Sequence, residues 1–145
     1  MSPDDALTAI IARLVAAGLT KAKSPLGVAN QSAPQLDRSF SVRMASLAPA
    51  SRPDRVKGTA VGVRVTTRFT IELSHRLTPN SGQTAISQGL QDLHTAWKYL
   101  AQPATTLTTG VQLTLGGSSS SYTGSGAYLV QSFTIDLQYN LSLAV

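Results

Sequence analysis

The chain has 145 residues, a length typical of one domain, and its 12 lysines and arginines outnumber its 7 aspartates and glutamates, giving a formal net charge of +5. It has no cysteine, which excludes disulfide bonds, thiol catalysis and cysteine-ligated metals. Only 13% of its residues are charged, about half the usual ~25%, which fits either a neutral exposed surface or one that contacts other protein. No segment resembles a signal peptide or reaches the ~20 apolar residues of a membrane span, so we expect a soluble protein made in the cytoplasm.

The N-terminal pattern predicts a helix over about residues 3–17. Ser2 suits the N-cap, Pro3 suits the first turn, and two aspartates follow at the positive end of the helix dipole. Apolar residues then recur at helical spacing as far as Gly18, a natural end for a helix. We therefore expect one stripe of this helix to be buried.

Two long loops are predicted, with a strand between them. Residues 19–37 are rich in proline, glycine and lysine, and residues 48–62 hold two prolines and two glycines among three basic side chains. Between the loops, apolar residues alternate with polar ones from Phe40 to Met44, which predicts the first strand. The 48–62 segment is expected to be an exposed loop or hairpin extension, and loops of this length are usually functional or disordered.

Period-two alternation, interrupted at Gln131, marks two further strands, over residues 63–77 and from about Tyr128 to the end of the sequence. Each of these strands has one apolar and one polar face. Between them, an apolar stripe of Ile86, Leu90, Leu93, Trp97 and Leu100 predicts a second helix over about 83–101, in which Gly89 and Ala96 would allow close approach to the strands.

A short third strand is predicted around 111–115, followed by a flexible Gly/Ser tip at 116–121. The order α-β-β-α-β-β predicts an α+β two-layer sandwich, with a mainly antiparallel four-stranded sheet and two helices on one face. We expect residues 1–145 to form a single domain.

The histidines and carboxylates do not form an enzyme motif in the sequence. His75 and His94 have no carboxylate or second histidine at ligand spacing, so structural roles are expected for both. Glu72 and Asp136 lie on polar strand faces, where cross-strand ion pairs with arginines are more plausible than a catalytic carboxylate pair. No catalytic residue, metal or cofactor is therefore predicted. A pocket with converging polar groups between the second helix and the sheet would favour an enzyme or a ligand binder instead.

The remaining constellation is basic. Three arginines share one face of the 63–77 strand, one precedes it in the first strand, and three basic residues lie in the 48–62 loop. Such a patch would be solvated, would contact neighbouring subunits, or would bind nucleic-acid phosphates. Phosphate binding would not read base sequence, and the aromatic side chains of a single-strand binder are missing. Its members are Arg43, Arg52, Arg55, Lys57, Arg64, Arg68 and Arg76.

The order of these elements is similar to that of the tail terminator, or tail completion, proteins of long-tailed bacteriophages and related neck proteins. The similarity covers a leading helix, the strands Phe40–Leu47 and Arg64–Leu77, a helix ending near Tyr99–Leu100, a hairpin with a Gly/Ser tip, and the strand Phe133–Leu143. It rests on size and architecture, because no signature motif is present.

This resemblance implies a mixed sheet flanked by helices and assembly into hexameric rings. Such a ring caps the head-proximal end of the tail tube, stops tube growth and meets the head–tail connector protein, while DNA passes through the lumen without sequence-specific contact. It also implies a virion protein whose partners are itself, the tail tube protein and the connector, with no membrane and no catalytic residue. The alternatives are another neck, joining or tube component, or a small nucleic-acid-binding module.

Overall fold

The computed structural model describes residues 2–21, 37–49, 62–77, 82–101, 112–123 and 128–142. Two helices and five strands lie in these ranges. In chain order they are α1 (Pro3–Ala16), β1 (Thr20–Lys21), β2 (Ser39–Pro49), β3 (Gly62–Arg76), α2 (Gly82–Ala101), β4 (Gln112–Thr123) and β5 (Tyr128–Ser142).

Helix α1 begins and ends as its sequence predicts. Ser2 Oγ accepts the backbone N–H of Asp5 at 3.1 Å, and the Asp5 carboxylate accepts the backbone N–H of Ser2 at 2.9 Å, which completes a capping box. Gly18 adopts a positive φ of 95° just after the helix, a conformation that disfavours other residues. Arg13 reaches across to α2, where it donates to the carbonyl oxygen of Leu100 at 2.6 Å and joins the two helices.

The sheet has the strand order β1-β2-β3-β5-β4. Strands β2, β3, β5 and β4 pair antiparallel, as predicted. The prediction of four strands was incomplete, because β1 lies within the predicted 19–37 loop and pairs parallel with Ser39 and Phe40, making the sheet mixed and five-stranded. A two-residue strand carries too little alternation for a sequence pattern to indicate it.

The ends of the predicted 48–62 loop belong to strands. Ala48 and Pro49 pair with β3 as the last residues of β2, and Gly62 is the first residue of β3. Residues 50–61, including Arg52, Arg55 and Lys57, lie outside the described residues, as do 22–36 of the other predicted loop.

The predicted flexible tip at 116–121 was wrong. Strand β4 continues through these residues to Thr123 and stays paired with β5, with a bulge between Leu115 and Ser118. A Cβ on Gly116 would overlap Thr134 Oγ1, so a larger residue at the bulge would force the Thr134 side chain to move. The Gly/Ser composition thus reflects a bulged edge strand.

The core lies between one face of the sheet and the two helices. Alternate residues of β3 and β5 point to the helices, including Phe69, Ile71, Phe133 and Ile135, each at most 1% exposed. On α2 the buried residues are Gly89, Asp92, Ala96 and Leu100, whereas Leu90, placed in the apolar stripe by its spacing, is 58% exposed. The predicted close approach at Gly89 and Ala96 is confirmed, and the buried stripe is rotated away from Leu90.

Candidate assembly surface and a buried charged cluster

The sheet face opposite the helices carries charged and hydroxyl side chains, and we call it the polar face. Its described members include Arg43, Arg64, Thr66, Arg68, Thr70, Glu72, Thr134, Asp136 and Gln138, all exposed or half-buried. At one end of the same face, Ser39, Ser74 and Val130 are buried, and Ser39 Oγ lies 2.9 Å from Ser74 Oγ. The wide, accessible part of the polar face therefore runs from Glu72 toward Arg64.

Two cross-strand ion pairs neutralise much of this face, which confirms the expected role of Glu72 and Asp136. Arg68 lies directly opposite Asp136 in the register and donates to both carboxylate oxygens, at 2.8 and 3.1 Å. Arg43 Nη2 donates to Glu72 Oε1 at 3.0 Å. The hydrogen bonds from Arg68, more than its charge, hold the pKa of Asp136 below its ordinary value, so the carboxylate stays ionised.

The predicted basic patch is only partly assembled by the described residues. Arg43, Arg64 and Arg68 share the polar face, and Arg64 Nη1 lies 3.5 Å from Asn140 Oδ1. Arg76 is exposed at the end of β3, where its backbone N–H donates to Asp37 Oδ1 at 3.2 Å. Arg43 and Arg68 are engaged by carboxylates, so their charges are largely balanced before any partner arrives.

Both edges of the sheet are accessible within the described part of the chain. Strand β4 forms one edge over 12 residues. It contains no charged residue and no proline, which are the usual protections of an edge strand. At the other edge, β1 pairs only with Ser39 and Phe40, so from Ser41 to Pro49 the side of β2 that faces away from β3 has no described strand beside it.

Exposed apolar side chains accompany these edges. On β2, Met44 is 53% and Leu47 is 43% exposed, and on β4 Tyr122 is 58% exposed. All three lie on the helix side of the sheet, because they pair in register with Phe69, Thr67 and Leu129, which point toward the helices. Unprotected strand edges with apolar side chains are surfaces suited to pairing with another chain.

A charged cluster is buried on the helix side of the sheet, between β3 and α2. His75 Nε2 lies 2.7 Å from Asp92 Oδ2, and the two side chains are 1% and 5% exposed. Arg38 donates to both oxygens of Asp92 at 3.0 Å, and Gln88 Nε2 donates to Oδ1 at 2.9 Å. The structural role expected for His75 thus rests on a carboxylate that lies 17 positions away in sequence and that local spacing did not reveal.

The ionisation of Asp92 is fixed by opposing effects. Burial alone would raise its pKa, but the hydrogen bonds from Arg38, His75 and Gln88, with the charge of Arg38, outweigh burial and lower the pKa. Arg38 itself adopts a positive φ of 48°, a conformation that costs a non-glycine residue about 1–2 kcal/mol. Because Arg38 precedes β2 and Asp92 lies on α2, this ion pair ties the helix to the sheet.

Two polar atoms near this cluster have no hydrogen-bond partner among the described residues. His75 Nδ1 and Gln131 Oε1 are both buried, and both lie 3.4 Å from the position that a Cβ on Gly89 would occupy. Polar groups therefore do converge between the second helix and the sheet, which is one part of the condition set above for a ligand binder or enzyme, the other being a pocket. His75 and Gln131 are each 1% exposed, however, and a general base must reach its substrate to act on it.

Sequence reasoning missed Arg38, Gln88 and Asp92. The available signal was the position of Asp92, three residues after Gly89 and four before Ala96, the two small residues expected to approach the strands. A carboxylate at that helical spacing must be buried and needs a cation. His94, by contrast, is exposed on α2.

No protein-family model matches the chain, and no curated protein matches its sequence. Neither described helix is both long and apolar enough to cross a membrane. Within the described ranges, no group of three or more histidine, aspartate or glutamate side chains is placed to hold a metal ion.

Proposed function

We propose that this protein is a structural subunit that assembles into a closed ring, and specifically a tail terminator of a long-tailed bacteriophage. Such a ring would cap the head-proximal end of the tail tube, stop its polymerisation and join it to the head connector. The observation that supports self-assembly best is the sheet itself, which is covered by helices on one face and, in the described chain, leaves β4 and most of β2 accessible as edge strands, β4 without a charged residue or proline.

The polar face adds a second argument. A surface that packs against copies of itself or against other virion proteins must not carry a large uncompensated charge, because like charges would repel. The Arg43–Glu72 and Arg68–Asp136 pairs provide that balance within one subunit. The hydroxyl and amide side chains around them can still form hydrogen bonds with a partner.

The assignment to a terminator, in preference to another assembling protein, rests on the element order. The helix, the paired strands β2 and β3, the long α2 and the β4–β5 hairpin follow the order that resembles the terminator and neck proteins. This supports a virion location, with the tail tube and connector proteins as partners.

Self-assembly is tested by native mass spectrometry and analytical ultracentrifugation of the purified chain at increasing concentration. We expect closed oligomers of a single size, consistent with a hexamer, and rings in negative-stain electron microscopy. A monomer at every concentration, also in the presence of purified tail tubes, would overturn the proposal.

The position in the virion is tested genetically, by introducing a stop codon into the gene in a phage that encodes it. Loss of a terminator is expected to give tails of irregular, excessive length that do not join heads. Tails of normal length that remain detached would indicate a neck or joining protein instead, and a complete lack of tubes would indicate a tube component.

A nucleic-acid-binding module remains the competing hypothesis, and the ion pairs argue against it. Phosphate binding would require Arg43 and Arg68 to exchange their carboxylate partners for phosphates, which lowers the net gain. The hypothesis predicts retardation of DNA or RNA at low salt that weakens when Arg64, Arg68 and Arg76 are replaced by alanine.

A further inference from the structure

We propose that neighbouring copies of this chain join edge to edge, with β4 of one copy pairing antiparallel with the Ser41–Pro49 part of β2 in the next copy. This inference rests on the proposed self-assembly and specifies its interface. It makes the sheet continuous from subunit to subunit, so that the helices of all copies lie on one side and the polar faces on the other.

The strand directions allow this joint. Strand β4 is antiparallel to β5, β5 to β3, and β3 to β2, so β4 and β2 run in opposite directions within one subunit. A copy related by rotation about an axis along the strands therefore presents its β2 antiparallel to β4, with its helices on the same side. A contact between two different edges is heterologous, the kind that closes into rings when its rotation allows.

The side chains on the two edges match in level. Among the rows that the register defines across the sheet from β4 to β2, two have an apolar residue at each end, and their members are Leu113–Leu137–Thr67–Leu47 and Leu115–Ile135–Phe69–Met44. Each row ends at both edges in an apolar side chain on the helix side. If the next copy joins without a shift along the strands, Leu113 and Leu115 of one copy lie beside Leu47 and Met44 of the next. The joint then covers apolar surface that is exposed in a single copy.

Strand β1 limits how much of the β2 edge is open to a neighbouring copy. It occupies the edge of β2 at Ser39 and Phe40 and leaves the next nine residues of that 11-residue strand for a neighbour. Strand β4 is 12 residues long and free of charge and proline, and the stretch before its bulge, Gln112–Leu115, lies level with Met44–Ala48 of a neighbour. A two-fold contact of β4 with itself is the less complementary arrangement, because it leaves Met44 and Leu47 exposed.

Disulfide cross-linking tests the pairing, and the absence of native cysteine makes it clean. Thr114 and Ser46 are exposed and lie at opposite edges of the sheet, at the two ends of the row Thr114–Asp136–Arg68–Ser46 on the polar face. Across the proposed joint, Thr114 of one copy would therefore lie beside Ser46 of the next. We expect a mixture of Thr114→Cys and Ser46→Cys chains to form disulfide-linked dimers on mild oxidation, and the double variant to form a ladder up to the full ring. Thr8→Cys on the exposed side of α1 is the matched control and should stay unlinked.

A disruptive variant gives a second readout. Met44→Lys adds a charge to the edge of β2 at a side chain that is already exposed, so the subunit is expected to keep its circular dichroism spectrum. We expect the protein concentration needed for assembly to rise at least tenfold. Leu90→Lys, at an equally exposed apolar residue on α2, should assemble like the parent chain.

The outcomes separate this inference from the proposed function. Oligomers that form without a disulfide between the Thr114→Cys and Ser46→Cys positions, and that still form in Met44→Lys, would overturn the edge pairing. The proposed ring would then have to assemble through another surface. Cross-linking of Thr114→Cys chains to each other would replace the heterologous joint by a two-fold contact. Failure of the parent chain to oligomerise would overturn the proposed function itself.

Discussion

Two arginine–aspartate pairs in this fold have nearly the same geometry and different surroundings. Arg38 binds both oxygens of Asp92 at 3.0 Å, and Arg68 binds both oxygens of Asp136 at 2.8 and 3.1 Å. The Asp92 side chain is 5% exposed under α2, whereas that of Asp136 is 28% exposed on the polar face. The two pairs have similar hydrogen bonds, but they should differ in the free energy lost when one partner is removed. Removing a partner from the buried pair leaves a charge without water around it, whereas in the exposed pair water takes the partner's place.

The comparison also divides the molecule by role. On the helix side, His75, Asp92 and Arg38 join β2, β3 and α2 into one unit, so that changes there affect folding. On the polar side, the arginines and carboxylates can exchange partners with water or with another protein at small cost. This difference is what a structural subunit needs, with a rigid interior behind a surface that is available for contacts.

The largest expected effect is that of Asp92→Asn. Breaking a buried pair by removing one partner costs about 3–5 kcal/mol, and we expect about 3 kcal/mol here because the Arg38 side chain is 47% exposed and can turn to water. The matched change Asp136→Asn should cost less than about 1 kcal/mol. Urea unfolding of both variants measures the difference, and equal losses would show that burial does not distinguish the two pairs.

The dependence of folding stability on low pH also distinguishes the variants from the parent chain. The folded pKa values of Asp92 and Asp136 lie below the ordinary 3.8, so each carboxylate adds stability that is present above that value and is lost as the pH falls through the lowered pKa. Asp92→Asn and Asp136→Asn should each lose less stability than the parent chain between about pH 5 and pH 2.

High salt should distinguish the pH-dependent contribution of Asp92 from that of Asp136. At about 1 M salt the Debye length falls to ~3 Å, so the contribution of the more exposed Asp136 should fade while that of Asp92 persists. Urea unfolding across this pH range, at low and at high salt, provides the measurement. An unchanged acid response in Asp92→Asn would contradict the assigned ionisation.

Periodicity predicted the main strands and helices because each has a long face with uniform surroundings. The burial of β3 alternates from Arg64 to Leu73, and the buried parity of Phe69 and Ile71 follows directly from the sequence pattern. The prediction failed where pairing, and not composition, decides the structure. The Ser-rich segment of β4 is extended because it pairs with β5, and no local pattern contains that information.

The candidate surfaces show the same limit. The Arg68–Asp136 pair was within reach, because both residues lie on polar faces of strands that were expected to pair. The sheet edges and the Asp92 cluster depend on strand order and helix rotation, which bring together residues far apart in sequence. Leu90 illustrates this point, since its spacing fits the apolar stripe and its exposure shows that the helix is rotated toward Asp92.

The smallest effect expected to be measurable is that of Gly89→Ala, on the covered side. A Cβ there would lie 3.0 Å from Leu129 Cδ2 and 3.4 Å from His75 Nδ1 and Gln131 Oε1. The gain of about 1 kcal/mol in helix propensity is offset by an overpacking cost of about 1–3 kcal/mol, and we expect a net loss of about 1 kcal/mol by urea unfolding. Gly117→Ala on the exposed edge has nothing within 4 Å of its Cβ and should change stability by less than about 0.5 kcal/mol. If Gly89→Ala were stabilising, the space beside His75 would be loose enough to accept a methyl group, and the rigid interior inferred for the helix side would be wrong.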